Sequence, residues 1–424
     1  MLNLISFRGV FGLRALLIVA DGMADRPIKE LGWKTPLEAA RKPSIDRMAD
    51  EGICGIMDPI SPGVPAGSDT ATLSLLGYDP LKYYSGRGAL EALGWGLKVE
   101  KDDVCFRCNF ATVDESLTVL DRRAGRISND DASRLAENLK KVKSPHRSTK
   151  FLFQNTIQHR AALVLRGSNL STAVSGSDPG KIGEKVSEIK PLNGSPEANF
   201  TAKILSELMQ KFHKVLKDHK VNMERVKRGL PPANMVLCRG AGKIPEIRPL
   251  REIYRIKAAC IAVTSLIRGV CKVAGIQVLN VDGATGTPQT DYLAKAKAAV
   301  QALKENDFVL LHVKAADVAS HDGNPQQKIE IIEKIDSMVS FILDNVDLGE
   351  TYVALTADHT TSCVTRNHEG DPVPVAIMGP YVRRDDVKEY GERSCAKGGL
   401  GRIRGINLMP ILMNLIGKAE KFGA

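Results

Sequence analysis

Three apolar runs, LLIVAD closing on Asp21, FVLLHVKAAD on Asp317 and TYVALTAD on Asp358, each stop at an acidic residue. Runs this short and this rich in aliphatic residues predict buried strands of a parallel sheet. In open α/β sheets the ligand crevice lies beyond the carboxyl ends of the strands, so the three acids are expected to converge although hundreds of residues separate them. The last two runs continue into histidine, as Asp317-x-x-x-His321 and Asp358-His359, and His368 follows within ten residues. Carboxylate oxygen and imidazole nitrogen together are ligands for zinc, manganese or iron, and the pattern reads as a metalloenzyme.

A chain of 424 residues has room for two or three domains. Its hydrophobic content of 43% and charged content of 25% are those of a globular protein, and no apolar stretch is long enough to span a bilayer. No membrane partner is expected. The first dozen residues, MLNLISFRGVFG, read as a short extension before the first strand rather than a targeting leader, since no small-residue cleavage pattern follows. The net charge of +10 suits an anionic small substrate. Nucleic acid is not expected, because there is no dense basic run and no RNA-binding aromatic motif. Eight scattered cysteines lack the spacing of a disulfide framework, which places the chain in a reducing cytoplasm. Cys105-Phe-Arg-Cys108 matches C-x-x-C, yet the run alternates like a strand, and residues three apart in a strand face opposite ways. Two structural thiols are expected there.

Strand and helix patterns alternate at both ends of the chain. PLEAARKPSIDRMADEG reads as one helix stopped at Gly52, a helix begins near Ser68, and GRGALEALGWG forms another after a glycine-flanked arginine. From about Val104 the character changes to a strand pair, a helix, a further strand and a turn-rich segment. A long amphipathic helix follows, with Ile204, Leu208, Phe212, Val215 and Leu216 on one face. Alternation then resumes with MVLCRGAG as a strand, AACIAVTSLIRGVCKVAG as a helix and VLNVDGATG as a strand. The metal-type residues fall at the two ends and none in the middle. The expected organisation is therefore one α/β domain, residues 13–76 and 246–424, interrupted by an inserted α+β domain at residues 77–245.

Asp21, Asp317, His321, Asp358, His359 and His368 supply enough ligands for two ions, which set about 3.5–4 Å apart can clamp both oxygens of a phosphoryl displacement. Each also has an ordinary explanation: an Asp after a strand is a common helix cap or turn former, and a single His321 suits a surface loop. Ser68, in PAGSDTA, is the candidate nucleophile; a serine opening a helix meets free N–H groups and the positive dipole end, which favour phosphate. The plainer alternative is an N-cap. Arginine binds carboxylate and phosphate bidentately, which makes Arg107, Arg122, Arg123, Arg126, His159-Arg160 and Arg239 candidates for an anionic substrate. Lys314 is better placed, because its strand leads straight to Asp317. Gly283–Thr287, GATGT, suits a phosphate cradle or a plain turn equally, since it lacks the P-loop lysine.

Asp21-Gly22, Gly67-Ser68-Asp69, Asp317-x-x-x-His321, Asp358-His359 and His368-x-x-Asp371-Pro372 resemble the metal and nucleophile motifs of the alkaline phosphatase superfamily. Within it, LSLLGYDP, SGRGALEALG, RGAG, DGATG, HVKAAD and HEGDPVP resemble the archaeal-type 2,3-bisphosphoglycerate-independent phosphoglycerate mutases, from about residue 14 to the C-terminus. The resemblance implies an alkaline-phosphatase-like α/β sheet sandwiched by helices, with a smaller inserted α+β domain acting as a lid. It implies two divalent metal ions, manganese first and zinc, cobalt or magnesium as alternatives, with no 2,3-bisphosphoglycerate. One ion would be held by Asp21, Ser68, Asp358 and His359, and the other by Asp317, His321 and His368. Ser68 would carry the phosphoryl group as phosphoserine between 3- and 2-phosphoglycerate in glycolysis or gluconeogenesis. Arg107, Arg123, His159, Arg160, Arg239 and Lys314 would hold the phosphoglycerate. The chain departs from the pattern at Ser320, where a glycine is expected, and at Cys363, where a proline is usual; the thiol is expected to confer sensitivity to oxidation. A phosphatase or phosphotransferase acting on another small phosphate ester or alcohol fits the same ligands, and the sequence leaves monomer and homo-oligomer equally open.

Overall fold

The computed structural model describes residues 12–423. The N-terminal extension, apart from Gly12, lies outside the described residues. Two compact units make up the chain: one takes in the chain up to Tyr84 and again from Glu246, and the other is Ser85–Pro245. Residues 77–84 group with the first unit, where the Tyr78 hydroxyl donates to the Arg248 carbonyl and the Tyr84 hydroxyl to Asp69.

The strands in chain order are β1 (Arg14–Ala20), β2 (Ile53–Asp58), β3 (Val104–Val113), β4 (Val119–Asp121), β5 (Thr149–Asn155), β6 (Arg160–Gly167) and β7 (Met235–Gly242). They continue as β8 (Ala258–Ile261), β9 (Gln277–Leu279), β10 (Phe308–Val313), β11 (Thr351–Thr356), β12 (Thr360–Thr361), β13 (His368–Glu369), β14 (Val373–Met378) and β15 (Gly401–Arg404).

In the first unit an eight-stranded sheet runs β15-β2-β14-β11-β1-β10-β8-β9, flanked by helices. Every residue of β10 and β11 is buried, as is β1 beyond Arg14, which explains why these strands read as continuous apolar runs. The sheet is mixed, not wholly parallel: β14 runs antiparallel to both β11 and β2. A parallel return needs a crossover, usually helical, and the segment between β11 and β14 carries only the short β12–β13 pair. That segment holds Asp358, His359 and His368.

Two expected helices differ. PLEAARKPSIDRMADEG breaks into Pro36–Ala39 and Pro43–Asp50, because Pro43 disfavours helical backbone at Lys42, whose φ is −140°. In AACIAVTSLIRGVCKVAG the first residues form β8 and the helix begins only at Ser265. A short apolar run does not distinguish a buried strand from a buried helix, and here pairing with β10 decided it.

In the second unit β3 is the hub, pairing antiparallel with β4, β6 and β7. Cys108, Phe106 and Phe110 face a core closed by the helices Asn129–Leu139 and Pro196–Lys217, while Cys105 faces the helix Arg87–Gly94. The C-x-x-C pair therefore points to opposite sides of the sheet.

Candidate active site

Adjacent parallel strands β10, β1 and β11 end level, with Ala20 opposite Val313 and Val19 opposite Thr356. The next residues along each strand are Asp21, Lys314 and, one step further, Asp358. The turn after β1 needs glycine: Gly22 has φ +64°, and a Cβ there would lie 2.6 Å from Thr361 Oγ1 and 2.8 Å from Asp317 Cβ. Its backbone N–H donates to Asp358 Oδ1 at 3.1 Å, tying the ends of β1 and β11 together.

The three imidazoles are oriented by what their Nδ1 atoms touch. His321 Nδ1 lies 2.7 Å from the Arg366 carbonyl and His368 Nδ1 2.7 Å from the Ala66 carbonyl. A carbonyl only accepts, so both Nδ1 atoms carry a hydrogen, and in the neutral rings both Nε2 atoms present bare lone pairs. Thr361 Oγ1 donates to Asp317 Oδ1 at 2.9 Å and lies 2.9 Å from His359 Nδ1, which assigns the hydrogen on His359 to Nδ1 as well. The bare nitrogens then face one another and the carboxylates. His321 Nε2 and His368 Nε2 are 3.2 Å apart, and each is 3.4 Å from Asp317 Oδ1. His359 Nε2 lies 3.5 Å from Asp21 Oδ1 and 3.3 Å from Asp358 Oδ2. Asp21–Asp358–His359 and Asp317–His359–His368 both have the spacing of metal-ligand sets.

Acceptors packed this closely demand a cation. Asp358 Oδ2 is buried with no hydrogen-bond partner among the described residues, and burial together with the Asp21 charge pushes its carboxyl up to about 7. Hydrogen bonding to Asp317 raises His321, and the same carboxylate raises His368 against the opposing effect of burial. His359, fully buried, is lowered to about 3 and stays neutral, the form in which imidazole binds metal. Lys314 Nζ bridges Asp21 Oδ2 at 3.0 Å and Asp317 Oδ2 at 2.6 Å. Burial opposes its charge, but the carboxylates of Asp21, Asp317 and Asp358 hold it well above the usual lysine range. The donor set fits divalent ions with oxygen and nitrogen ligands.

Ser68 opens the helix Ser68–Leu75 behind Gly67, is 6% exposed, and donates its hydroxyl to His359 Nε2 at 3.1 Å. Residues not singled out in the sequence also hold this centre. Thr361 orients both Asp317 and His359. His312, buried in β10, sets Nε2 3.1 Å from Asp21 Oδ2. Lys328, fully buried, donates to Asp25 and to the carbonyls of Ala24 and Thr361. Only the chemistry-bearing His within FVLLHVK was a visible signal for His312; a threonine beside Asp-His, or a lysine inside an amphipathic helix, carries none. Cys363, expected to confer sensitivity to oxidation, is 5% exposed, and burial pushes its thiol up to about 12, which disfavours the reactive thiolate. Ser320 is accommodated by donating back to the Ala316 carbonyl within its helix.

The other candidates gather in the second unit, apart from Lys314. Arg107 in β3 pairs with Arg239 in β7, and Asn109 pairs with Arg160 in β6. Burial, with like charge from Arg239, Arg160 and Arg87, lowers the Arg107 guanidinium to about 10. Burial likewise lowers His159 to about 4, assisted by Arg160, Arg123 and Arg107. Arg122 is instead tied bidentately to Asp178, which also meets Arg239 at 3.2 Å. Arg87 joins the band although only its flanking glycines hinted at a role. A Cβ at Gly88 would lie 2.1 Å from the Cys105 carbonyl, and one at Gly86 2.1 Å from the Ala241 carbonyl. Glycine alone lets this helix start so close to the sheet.

A mixed sheet delivering carboxylates and imidazoles to one point from three neighbouring strand ends defines an α/β protein with a metal-type site at its strand ends. A family model for 2,3-bisphosphoglycerate-independent phosphoglycerate mutase matches residues 49–222. The 2,3-bisphosphoglycerate-independent phosphoglycerate mutase 1 of Methanocaldococcus jannaschii is 50% identical over 411 residues, covering 97% of this chain and 99% of its own. A solved structure of a Pyrococcus horikoshii protein superposes with a TM-score of 0.86 at 43% identity, over 97% of this chain and 100% of its own. The cofactor-independent phosphoglycerate mutase of Thermoplasma acidophilum gives 0.72 at 37%, over 96% and 100%. The chain belongs to the 2,3-bisphosphoglycerate-independent phosphoglycerate mutase family, a family of isomerases. Among the described residues no helix is long and apolar enough to cross a membrane.

Proposed function

We propose that this chain interconverts 3-phosphoglycerate and 2-phosphoglycerate without 2,3-bisphosphoglycerate, through a phosphoserine on Ser68, in the cytoplasm. The observation that carries the reading is the cluster of carboxylates and imidazoles around His359, whose Nε2 lies 3.1 Å from the Ser68 hydroxyl. Asp21, Ser68, Asp358 and His359 would hold one divalent ion and Asp317, His321 and His368 a second, with manganese the first expectation and zinc, cobalt or magnesium alternatives. Ions bound there supply charge that favours the serine alkoxide and offsets the oxygens of the transferring phosphoryl group.

The chain's own residues account for the rest. Ser68 Oγ attacks phosphorus, forming the Oγ–P bond while the bond from phosphorus to the substrate's 3-oxygen breaks. The hydroxyl proton leaves Ser68 and the 3-oxygen ends as a hydroxyl. In the second half the glycerate 2-hydroxyl attacks the phosphoserine, the Oγ–P bond breaks and Ser68 regains a proton. Lys314, held charged between Asp21 and Asp317, is placed to contact an anionic oxygen at the strand ends. Arg107, Arg123, His159, Arg160 and Arg239 supply the cationic surface for the glycerate carboxylate.

The test is an enolase-coupled assay on purified protein with manganese, with and without chelator, and with no bisphosphoglycerate. Isomerisation that disappears with chelator supports the reading. Release of inorganic phosphate faster than formation of 2-phosphoglycerate would replace it with a phosphatase or phosphotransferase.

A further inference from the structure

Along one face of β3 the side chains run Cys105, Arg107, Asn109, Ala111, Val113. Cys105 packs with Ala89, Ala92, Ala162 and Val164, while Ala111 and Val113 pack with Val119, Met235 and Leu237. Arg107 and Asn109 thus interrupt an apolar face with a polar band, bordered in register by Arg160 and Arg239. Cations alone would be enough to attract an anion. The band also contains a carboxylate, Glu91, 5% exposed on the helix packed over it, and the amide of Asn109, 6% exposed.

Neither group is satisfied. Glu91 Oε2 lies 3.6 Å from Arg107 Nε, beyond hydrogen-bond reach, and Glu91 Oε2, Arg107 Nε and Asn109 Oδ1 all lack a hydrogen-bond partner among the described residues. A buried acceptor left unpaired costs about 1–3 kcal/mol, and a carboxylate in this position weakens the band's attraction for any anion. Both costs are recovered if the bound molecule brings hydroxyl donors. We infer that Glu91 and Asn109 are specificity-determining residues that accept hydrogen bonds from the hydroxyl of a hydroxy-acid substrate, while the arginines take its carboxylate. This deepens the proposed function and rests on it for the identity of the acid, since a phosphoglycerate carries a carboxylate and a free hydroxyl on one three-carbon unit.

The test compares 2-phosphoglycerate with 2-phosphoglycolate, which lacks only the hydroxymethyl group, by calorimetric titration of the full-length chain in excess chelator, where no turnover occurs. The wild-type chain should prefer 2-phosphoglycerate by about tenfold or more, as one charge-assisted hydrogen bond allows. In Glu91→Gln the preference should fall toward unity while 2-phosphoglycolate binds as tightly or more tightly, because a negative charge has left the band. Asn109→Leu should also lose the preference, without the gain for 2-phosphoglycolate. Parallel weakening of both ligands, the signature of a merely structural role, overturns the inference, as does an unchanged preference in both variants. These titrations need no isomerisation. An active mutase with an unchanged preference therefore removes this inference alone, and an inactive chain with the predicted preference removes only the reading of the reaction.

Discussion

Ser68 Oγ and His359 Nε2 lie 3.1 Å apart although 291 residues separate them in the chain. The contact exists because β11 places His359 just beyond its carboxyl end and the helix Ser68–Leu75 starts beside it. Since Thr361 engages His359 Nδ1, the nitrogen facing the serine has no hydrogen of its own. A serine so placed is oriented before any substrate arrives.

Ser68→Ala removes the group proposed to carry phosphorus and one hydrogen bond worth about 1 kcal/mol. Turnover is expected to fall to background in the coupled assay, with the melting temperature changed by only a few degrees. Incubation with phosphorus-labelled 3-phosphoglycerate should label the wild-type chain and not the variant. A variant that still isomerises would refute the phosphoserine route.

Chelation should act on stability as well as on rate. Without ions, Asp21, Asp317 and Asp358 crowd one another around Lys314 and the imidazoles. Manganese at a hundred times its dissociation constant is expected to stabilise the folded chain by about 2.7 kcal/mol. Differential scanning calorimetry with chelator and then with added manganese measures this. A melting temperature indifferent to both would argue against a metal centre.

Lys328→Met breaks a buried ion pair by removing one partner. The Nζ lies 3.0 Å from Asp25 Oδ2 and also donates to the carbonyls of Ala24 and Thr361. The variant leaves the Asp25 carboxylate buried opposite an apolar side chain, at an expected cost of about 3–5 kcal/mol. Because Thr361 orients Asp317 and His359, manganese affinity should fall with it. Denaturant unfolding and metal titration read the two effects; loss of stability with intact affinity would uncouple Lys328 from the centre.

Lys295 gives a pH-dependent prediction with a definite sign. Its side chain is fully buried, bonded to the Thr285 carbonyl at 3.3 Å, and burial lowers its pKa from 10.5 to about 8. The unfolded chain therefore binds more protons between these values, so this group makes stability rise with pH from about 8 to 10.5. Below pH 8 its cost is complete, about 3 kcal/mol at this shift. Lys295→Met should be more stable at pH 7 by about 2 kcal/mol after the lost hydrogen bond, and the gap should close toward pH 10.5. Unfolding curves for both proteins across that range decide it, and a variant that is less stable at pH 7 would contradict it.

Legibility in the sequence followed the range of the physical signal. Asp21, Asp317 and Asp358 stood out because a run of buried strand residues that stops on an acid is a local pattern. Their meeting followed from strand ends being level in a parallel sheet. The start of the helix at Ser265 was not legible, since Ala258–Ile261 is apolar enough for either state and only pairing with β10 chose between them. Arg87, Glu91 and Asn109 were missed as site residues because nothing near them in sequence says which sheet face they occupy.

What the chain determined by itself was the list of chemical groups and the strand ends that carry them, because periodicity and residue type act over a few neighbouring positions. Which nitrogen of each imidazole is bare, which arginines meet Asp178 and which border the polar band, and where β14 reverses were decided only by tertiary structure. Each of these depends on hydrogen-bond partners and sheet neighbours brought together from distant parts of the chain, and direction and distance in space, unlike residue type, are not written along it.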